Sequence, residues 1–182
     1  MIQIIKKIIK KIIKKIFLTP RGLKHFGKNS TVAYPYNFGE KKFISIGDNT
    51  FIHKNAILNP ISFDNGNFFT PSIEIGNNVY IGLNSNLSAI NTIKISDNCV
   101  LSDYVFMCDT SHGFNPLNGS FMKQPLAEGK PIFIGENSFI GRNVFLAPGV
   151  SIGKFCVVGA YSLVNKSFPD YCMIVGNPAR II

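Results

Sequence analysis

From residue 44 to residue 166, an aliphatic side chain followed by a small or polar one returns every six positions, and very few folds accept such a period. The runs are Ile46-Gly47, Ile52-His53, Leu58-Asn59; Ile75-Gly76, Ile81-Gly82, Leu87-Ser88; Ile95-Ser96, Leu101-Ser102, Met107-Cys108; Ile134-Gly135, Ile140-Gly141, Leu146-Ala147; and Ile152-Gly153, Val158-Gly159, Val164-Asn165. These are five groups of three, and three sides close a triangular coil. Each hexapeptide is read as a short strand and a turn. The aliphatic residue points inward and stacks on its equivalent one coil away, while the next position lies near a corner where a small residue fits.

Asn49, Asn78, Asn98, Asn137 and Asn143 follow three residues after the aliphatic position. Asn tolerates the left-handed backbone region that tight corners require. A helical alternative fails because Gly, Asn and β-branched residues at these positions all weaken helices. The expectation is an all-β parallel β-helix of about five triangular coils over 44–182. Residues 61–72 and 109–131 interrupt the period, and long excursions inside a strict repeat usually serve function.

The bulk composition excludes other classes. A chain of 182 residues with 46% hydrophobic and 16% charged residues builds one packed domain and is not disordered. Six of its nine net positive charges belong to Lys6, Lys7, Lys10, Lys11, Lys14 and Lys15, within an acid-free segment 1–18. Basic residues spread along a face with aromatics between them, as nucleic-acid binding wants, are not visible. On a helix at about 100° per residue, the isoleucines of 1–18 span an arc of roughly 220° and the lysines fill the rest. Lysine pairs break every apolar stretch, against a secretory signal or a membrane span. Two readings of 1–18 stand: a helix in peripheral contact with an anionic membrane surface, or a helix packing its Ile face on the core or a neighbouring subunit. Residues 19–43 are read as a lead-in. Cys99, Cys108, Cys156 and Cys172 show no CxxC pairing, which suits a reduced cytoplasmic chain.

The repeat, the run Asp109-Thr110-Ser111-His112-Gly113-Phe114-Asn115-Pro116, the stretch 131–141, the stretch Val158–Lys166 and the ending Val175-Gly176-Asn177-Pro178-Ala179-Arg180 resemble the hexapeptide-repeat acyltransferases, in particular the maltose, galactoside and capsule-polysaccharide O-acetyltransferases. The resemblance covers about 40–182. It implies a left-handed coil, a homotrimer, acetyl-CoA as co-substrate without a metal, and a sugar or glycan acceptor.

It also implies residue roles. His112 matches the general base, a task that suits imidazole because its ordinary pKa near ~6.5 lets it accept a proton near neutrality. Asn84 matches a position that touches acceptor or base, or is one more turn Asn. Asp109, Asp103 or a backbone carbonyl is the candidate to orient the imidazole, and Asp109 reads equally as a turn residue. The oxyanion donor lies near Gly141 and Arg142. Gly141, Ala147 and Ala160 line the coenzyme groove by position. Asn165 is also assigned to coenzyme binding, and Lys166 and Arg180 suit the adenosine phosphates, because cations suit phosphate oxygens. Phe139 stands where the family often has Trp, Arg142 where a small residue is usual, and Tyr161 where Gly is usual. Alternatives are N-acetylation of an amino sugar or small xenobiotic, and a catalytically silent trimeric scaffold. A metal site is not expected, since Cys108 and His112 find no second pair and His25 and His53 lie in unrelated contexts.

Overall fold

The structure, a computed structural model, describes residues 3–5 and 20–182. The basic segment 1–18 therefore lies outside the described residues apart from Gln3–Ile5, which are helical. No helix among the described residues is long and apolar enough to cross a membrane.

The rest is a triangular coil whose three faces are parallel sheets. Face 1 stacks His25–Phe26, Ile44–Ile46, Ser72–Ile75, Thr92–Ile95, Ile132–Ile134 and Ser151–Ile152. Face 2 stacks Thr31–Val32, Phe51–Ile52, Tyr80–Ile81, Val100–Leu101, Phe139–Ile140, Val157–Val158 and Met173–Gly176. Face 3 stacks Asn37–Phe38, Ile57–Pro60, Asn86–Ala89, Phe106–Cys108, Phe145–Leu146 and Leu163–Val164.

All fifteen inward positions of the repeat fall in register. Ile46, Ile75, Ile95, Ile134 and Ile152 pair in sequence up face 1. Ile52, Ile81, Leu101, Ile140 and Val158 do so up face 2. Leu58, Leu87, Met107, Leu146 and Val164 do so up face 3. None of the fifteen is more than 3% exposed. Neighbouring coils share one hydrophobic column, so no second layer is needed to bury it.

One expectation changes. The lead-in is itself a coil, because Phe26-Gly27, Val32-Ala33 and Phe38-Gly39 keep the six-residue spacing and pair with Ile46, Ile52 and Leu58. Among the described residues there are six coils rather than five. Phenylalanine stands at two of these inward places, and an eight-residue step from Phe38 to Ile46, holding the 3-10 turn Lys41–Phe43, hides the period. At the other end, Ala179–Ile181 folds back antiparallel onto Met173–Gly176 and covers the last edge of face 2.

The corners follow from backbone sterics. The five predicted asparagines have φ between 54° and 59°. Tyr104, Phe155, Tyr161 and Tyr171 also take positive φ, from 52° to 63°, where a bulky side chain costs roughly 1–2 kcal/mol. Each is more than 45% exposed, and only Phe155 and Tyr171 gain a partner, stacking on each other at 5.5 Å between ring centres.

Leu101→Ala removes a fully buried link of the face 2 column and should cost about 3 kcal/mol, a fall in Tm on the order of 10 °C for a chain of this size. Lys94→Gln on the exposed outer side of face 1 should leave Tm within about 2 °C. A thermal melt of both variants checks this; an unchanged Tm for Leu101→Ala contradicts it.

Candidate active site

Excursion 109–131 leaves the corner between faces 3 and 1. Its base is a short two-stranded ladder: Gly113 N–H donates to Pro125 O at 3.0 Å, Ala127 N–H to Ser111 O at 2.8 Å and Lys130 N–H to Asp109 O at 2.7 Å. His112 pairs with Leu126 in this ladder and is exposed. Further out, 3-10 turns Pro116–Asn118 and Phe121–Lys123 are held by Gln124, only 4% exposed. Its Oε1 accepts from Asn115 N–H at 2.8 Å, and its Nε2 donates to Asn115 O at 3.1 Å and Gly119 O at 2.9 Å. A lone glutamine in a loop gives no sequence signal for that role.

Asp109 does something other than orient the imidazole. Its carboxylate is fully buried and accepts from the backbone N–H groups of Ile90 at 2.9 Å and Asn91 at 2.8 Å. Burial pushes this carboxyl above its ordinary value, outweighing the amides of Ile90, Asn91 and Thr92 that pull it down. Asp109 is the clamp on the corner of the coil below. Among the described residues no hydrogen bond links His112 to a carboxylate.

Asn84, Arg142 and Ala160 sit elsewhere, at the corner between faces 2 and 3; Arg142 and Ala160 share one vertical column with Leu83 and Asp103, and Asn84 lies in the next column, with Tyr104, Asn143 and Tyr161. Asn84 is a corner residue with φ 56°, its N–H donating to Lys54 O. Gly141 is buried flush against the next coil, where a Cβ would lie 2.6 Å from Ala160 N. The Gly141 N–H is already used by Val158 O, as the Ala147 N–H is by Val164 O. The N–H groups of Arg142 and Ala160 donate to no described residue. Two coils below Arg142, the Leu83 N–H meets the carboxylate of Asp103 on the coil between at 2.9 Å, whereas the residue stacked above Arg142 is Ala160, whose side chain has no acceptor to offer. The Arg142 guanidinium turns back to Asp103 at 2.6 Å. The Leu83 amide first, and this guanidinium after it, hold the Asp103 carboxyl below the usual carboxylate range.

The predicted set therefore splits. His112, Ala147, Asn165 and Lys166 belong to the corner between faces 3 and 1; Asn84, Gly141, Arg142 and Ala160 belong to the corner between faces 2 and 3. A full strand face, roughly 15 Å by strand rise, separates the two. No hydrogen bond or ion pair among the described residues joins excursion 109–131 to the second corner. Lys166 Nζ lies 5.5 Å over the Phe168 ring, and Arg180, on the terminal hairpin, donates to Ala179 O at 2.7 Å. Among the described residues no three His, Cys, Asp or Glu side chains converge to hold a metal ion.

These features define a hexapeptide β-helix with a histidine-bearing excursion and free corner amides. Residues 131–166 match the profile of the bacterial transferase hexapeptide (six repeats), and residues 72–102 that of the hexapeptide repeat of succinyl-transferase. The chain is 32% identical over 143 residues to the galactoside O-acetyltransferase of Escherichia coli, covering 79% of this chain and 64% of that protein. Among solved structures it resembles a variant of AntD, an N-acyltransferase from Bacillus cereus in complex with dTDP and coenzyme A, with a TM-score of 0.75 at 23% identity, covering 94% of this chain and 87% of that one. It also resembles a hexapeptide-repeat acetyltransferase from Vibrio cholerae, with a TM-score of 0.59 at 26% identity, covering 88% and 73%. The chain belongs to the hexapeptide-repeat acyltransferase family, and its coil is the left-handed parallel β-helix. It spans less than two thirds of the length of the curated relatives it matches.

Asp109→Ala strands the buried Ile90 and Asn91 amides and should cost about 2–4 kcal/mol, lowering Tm on the order of 10 °C. His112→Ala alters an exposed side chain and should shift Tm by less than about 2 °C. Equal Tm changes in the two variants would contradict the separation of anchor from exposed imidazole.

Proposed function

We propose that the chain is an acetyl-CoA-dependent O-acetyltransferase that acts on a sugar or surface-glycan precursor. One observation carries the reading: within a family of acyltransferases, the one excursion that bears a histidine presents it exposed on a fixed ladder. The preference for a hydroxyl acceptor follows the O-acetyltransferase among its relatives.

His112 takes the proton from the acceptor hydroxyl as that oxygen adds to the thioester carbonyl. The tetrahedral oxyanion needs donors already in place, and the unclaimed Arg142 N–H is the group available at the predicted corner. Acetyl-CoA supplies a thioester whose thiolate leaves readily, so no covalent enzyme intermediate is required. The Ala160 N–H, one coil above, suits the amide carbonyls of the pantetheine arm. Lys166 and Arg180 are exposed cations toward the same end of the coil and suit phosphate oxygens.

The separation of His112 from the Arg142 corner fits a site shared between chains. We read the assembly as a homotrimer in which one protomer's excursion faces a neighbour's corner. The outer row of face 2 supports a packed neighbour: Phe51, Tyr80, Val100, Phe139, Val157 and Met173 stand in one line, each 37–51% exposed. We place the chain in the cytoplasm, with 1–18 in peripheral contact with the inner membrane face where a lipid-linked acceptor would be met.

His112→Ala should lower kcat/KM for acetyl transfer by at least about 100-fold while coenzyme A binding persists; free-thiol release across an acceptor panel measures it. Unchanged turnover removes His112 as the base, and faster transfer to amine than to hydroxyl acceptors replaces O- by N-acetylation. The full chain should co-sediment with vesicles containing anionic lipid and dissociate at high salt; loss of six lysines by Lys→Gln should abolish that binding, and equal sedimentation with neutral vesicles contradicts it.

A further inference from the structure

The two excursions leave the same corner of the coil, one from the second coil and one from the fourth, with the plain corner Ile90–Asn91 between them. Residues 61–72 form a hairpin whose strands Phe63–Asp64 and Asn67–Phe68 turn through Asn65 and Gly66, both at positive φ. Asn65 Nδ2 donates to Gln124 O at 3.2 Å and ties this hairpin to excursion 109–131. A cleft of about 430 Å³ lies between them, within the size range of small-molecule sites.

The floor of the cleft is fixed. Asp109, from the next coil, clamps the Ile90 and Asn91 amides, and Asn91 Nδ2 donates to Gly129 O at 3.0 Å. Gly129 lies so close that a Cβ there would stand 2.7 Å from Ile90 Cγ1. One wall is Phe68, 84% exposed and packed at a tilt on Phe63 at 5.0 Å between ring centres, beside Phe69 and Thr70. The other wall carries Glu128, the cleft's one charged lining residue. Glu128 is two residues from Leu126, the ladder partner of His112. Diagonal neighbours on paired strands lie roughly 7–8 Å apart, which sets the backbone of Glu128 about one sugar ring from that of His112.

An exposed phenyl face beside a hydroxyl, an amide and a carboxylate matches a sugar ring. The ring's C–H face meets the negative face of the aromatic, and its hydroxyls or an ammonium group meet the polar wall. A uronate, sialate or phosphate would face Glu128 and be repelled. We propose that this cleft is a carbohydrate subsite for a non-acidic sugar ring next to the ring presented to His112, so that the acceptor is at least a disaccharide. The subsite itself stands on the cleft; only its place beside the reacting ring rests on the acetyl-transfer reading.

The test is binding of the full chain, without acetyl-CoA, to an array of neutral, amino and acidic mono- and oligosaccharides. At least one non-acidic disaccharide should bind 10-fold or more tightly than its component monosaccharides. Phe68→Ala and Glu128→Gln should each weaken that binding at least 5-fold, with Tm and coenzyme A affinity unchanged. Binding to acidic glycans alone, no preference for disaccharides, no binding, or binding indifferent to both cleft variants each overturns the subsite. Disaccharide binding without acetyl transfer keeps the subsite and removes the proposed reaction. Transfer to monosaccharides without any array binding does the reverse.

Discussion

The inward stack of one aliphatic side chain on the next, coil upon coil, is what every other feature of this molecule depends on. Each link is an apolar contact between strands about 4.8 Å apart, and a chain that leaves the coil must return in register or bury a polar residue instead. Insertions are thus admitted only where the backbone already turns. Residues 61–72 and 109–131 both use the corner between faces 3 and 1, and each returns with its next isoleucine, Ile73 and Ile132, fully buried. The core thereby dictates which corner receives the loops.

The same constraint orders the corners. Where one coil stacks a carboxylate over the next coil's turn, that turn's amide is satisfied, as Leu83 is by Asp103 and Lys154 by Asp170. Where Ala160 replaces the carboxylate, the Arg142 amide is left for something else. An unpaired corner amide arises here from the omission of an acceptor in the repeat, without any distortion of the backbone.

Much of this was legible in the residues. Fifteen inward positions and five corner asparagines follow from spacing and from the tolerance of Asn for positive φ, and all are found where the period puts them. The first coil escaped because Phe26 and Phe38 take aliphatic places and the step to Ile46 is eight residues. The turn signal Asn65-Gly66 between Phe63 and Phe68 was present, but what the hairpin touches was not. Asp109 beside a histidine reads as an orienting acid; only coordinates show its oxygens spent on amides 18 and 19 residues earlier. Side-chain reach between coils has no sequence period, so Gln124 and Asp109 had to be seen.

The coil also keeps His112 a face's width from the Arg142 and Ala160 corner, so the proposed chemistry depends on a second chain bringing its corner to the imidazole. Complementation measures this directly. His112→Ala and the groove-blocking Ala160→Trp, each inactive alone, are mixed, unfolded and refolded together, and assayed for acetyl transfer. A site shared between chains predicts recovery to about a quarter of wild-type activity, since random assembly of a cyclic trimer leaves about one interface in four with both halves intact. Activity no higher than the sum of the two single variants would contradict a shared site.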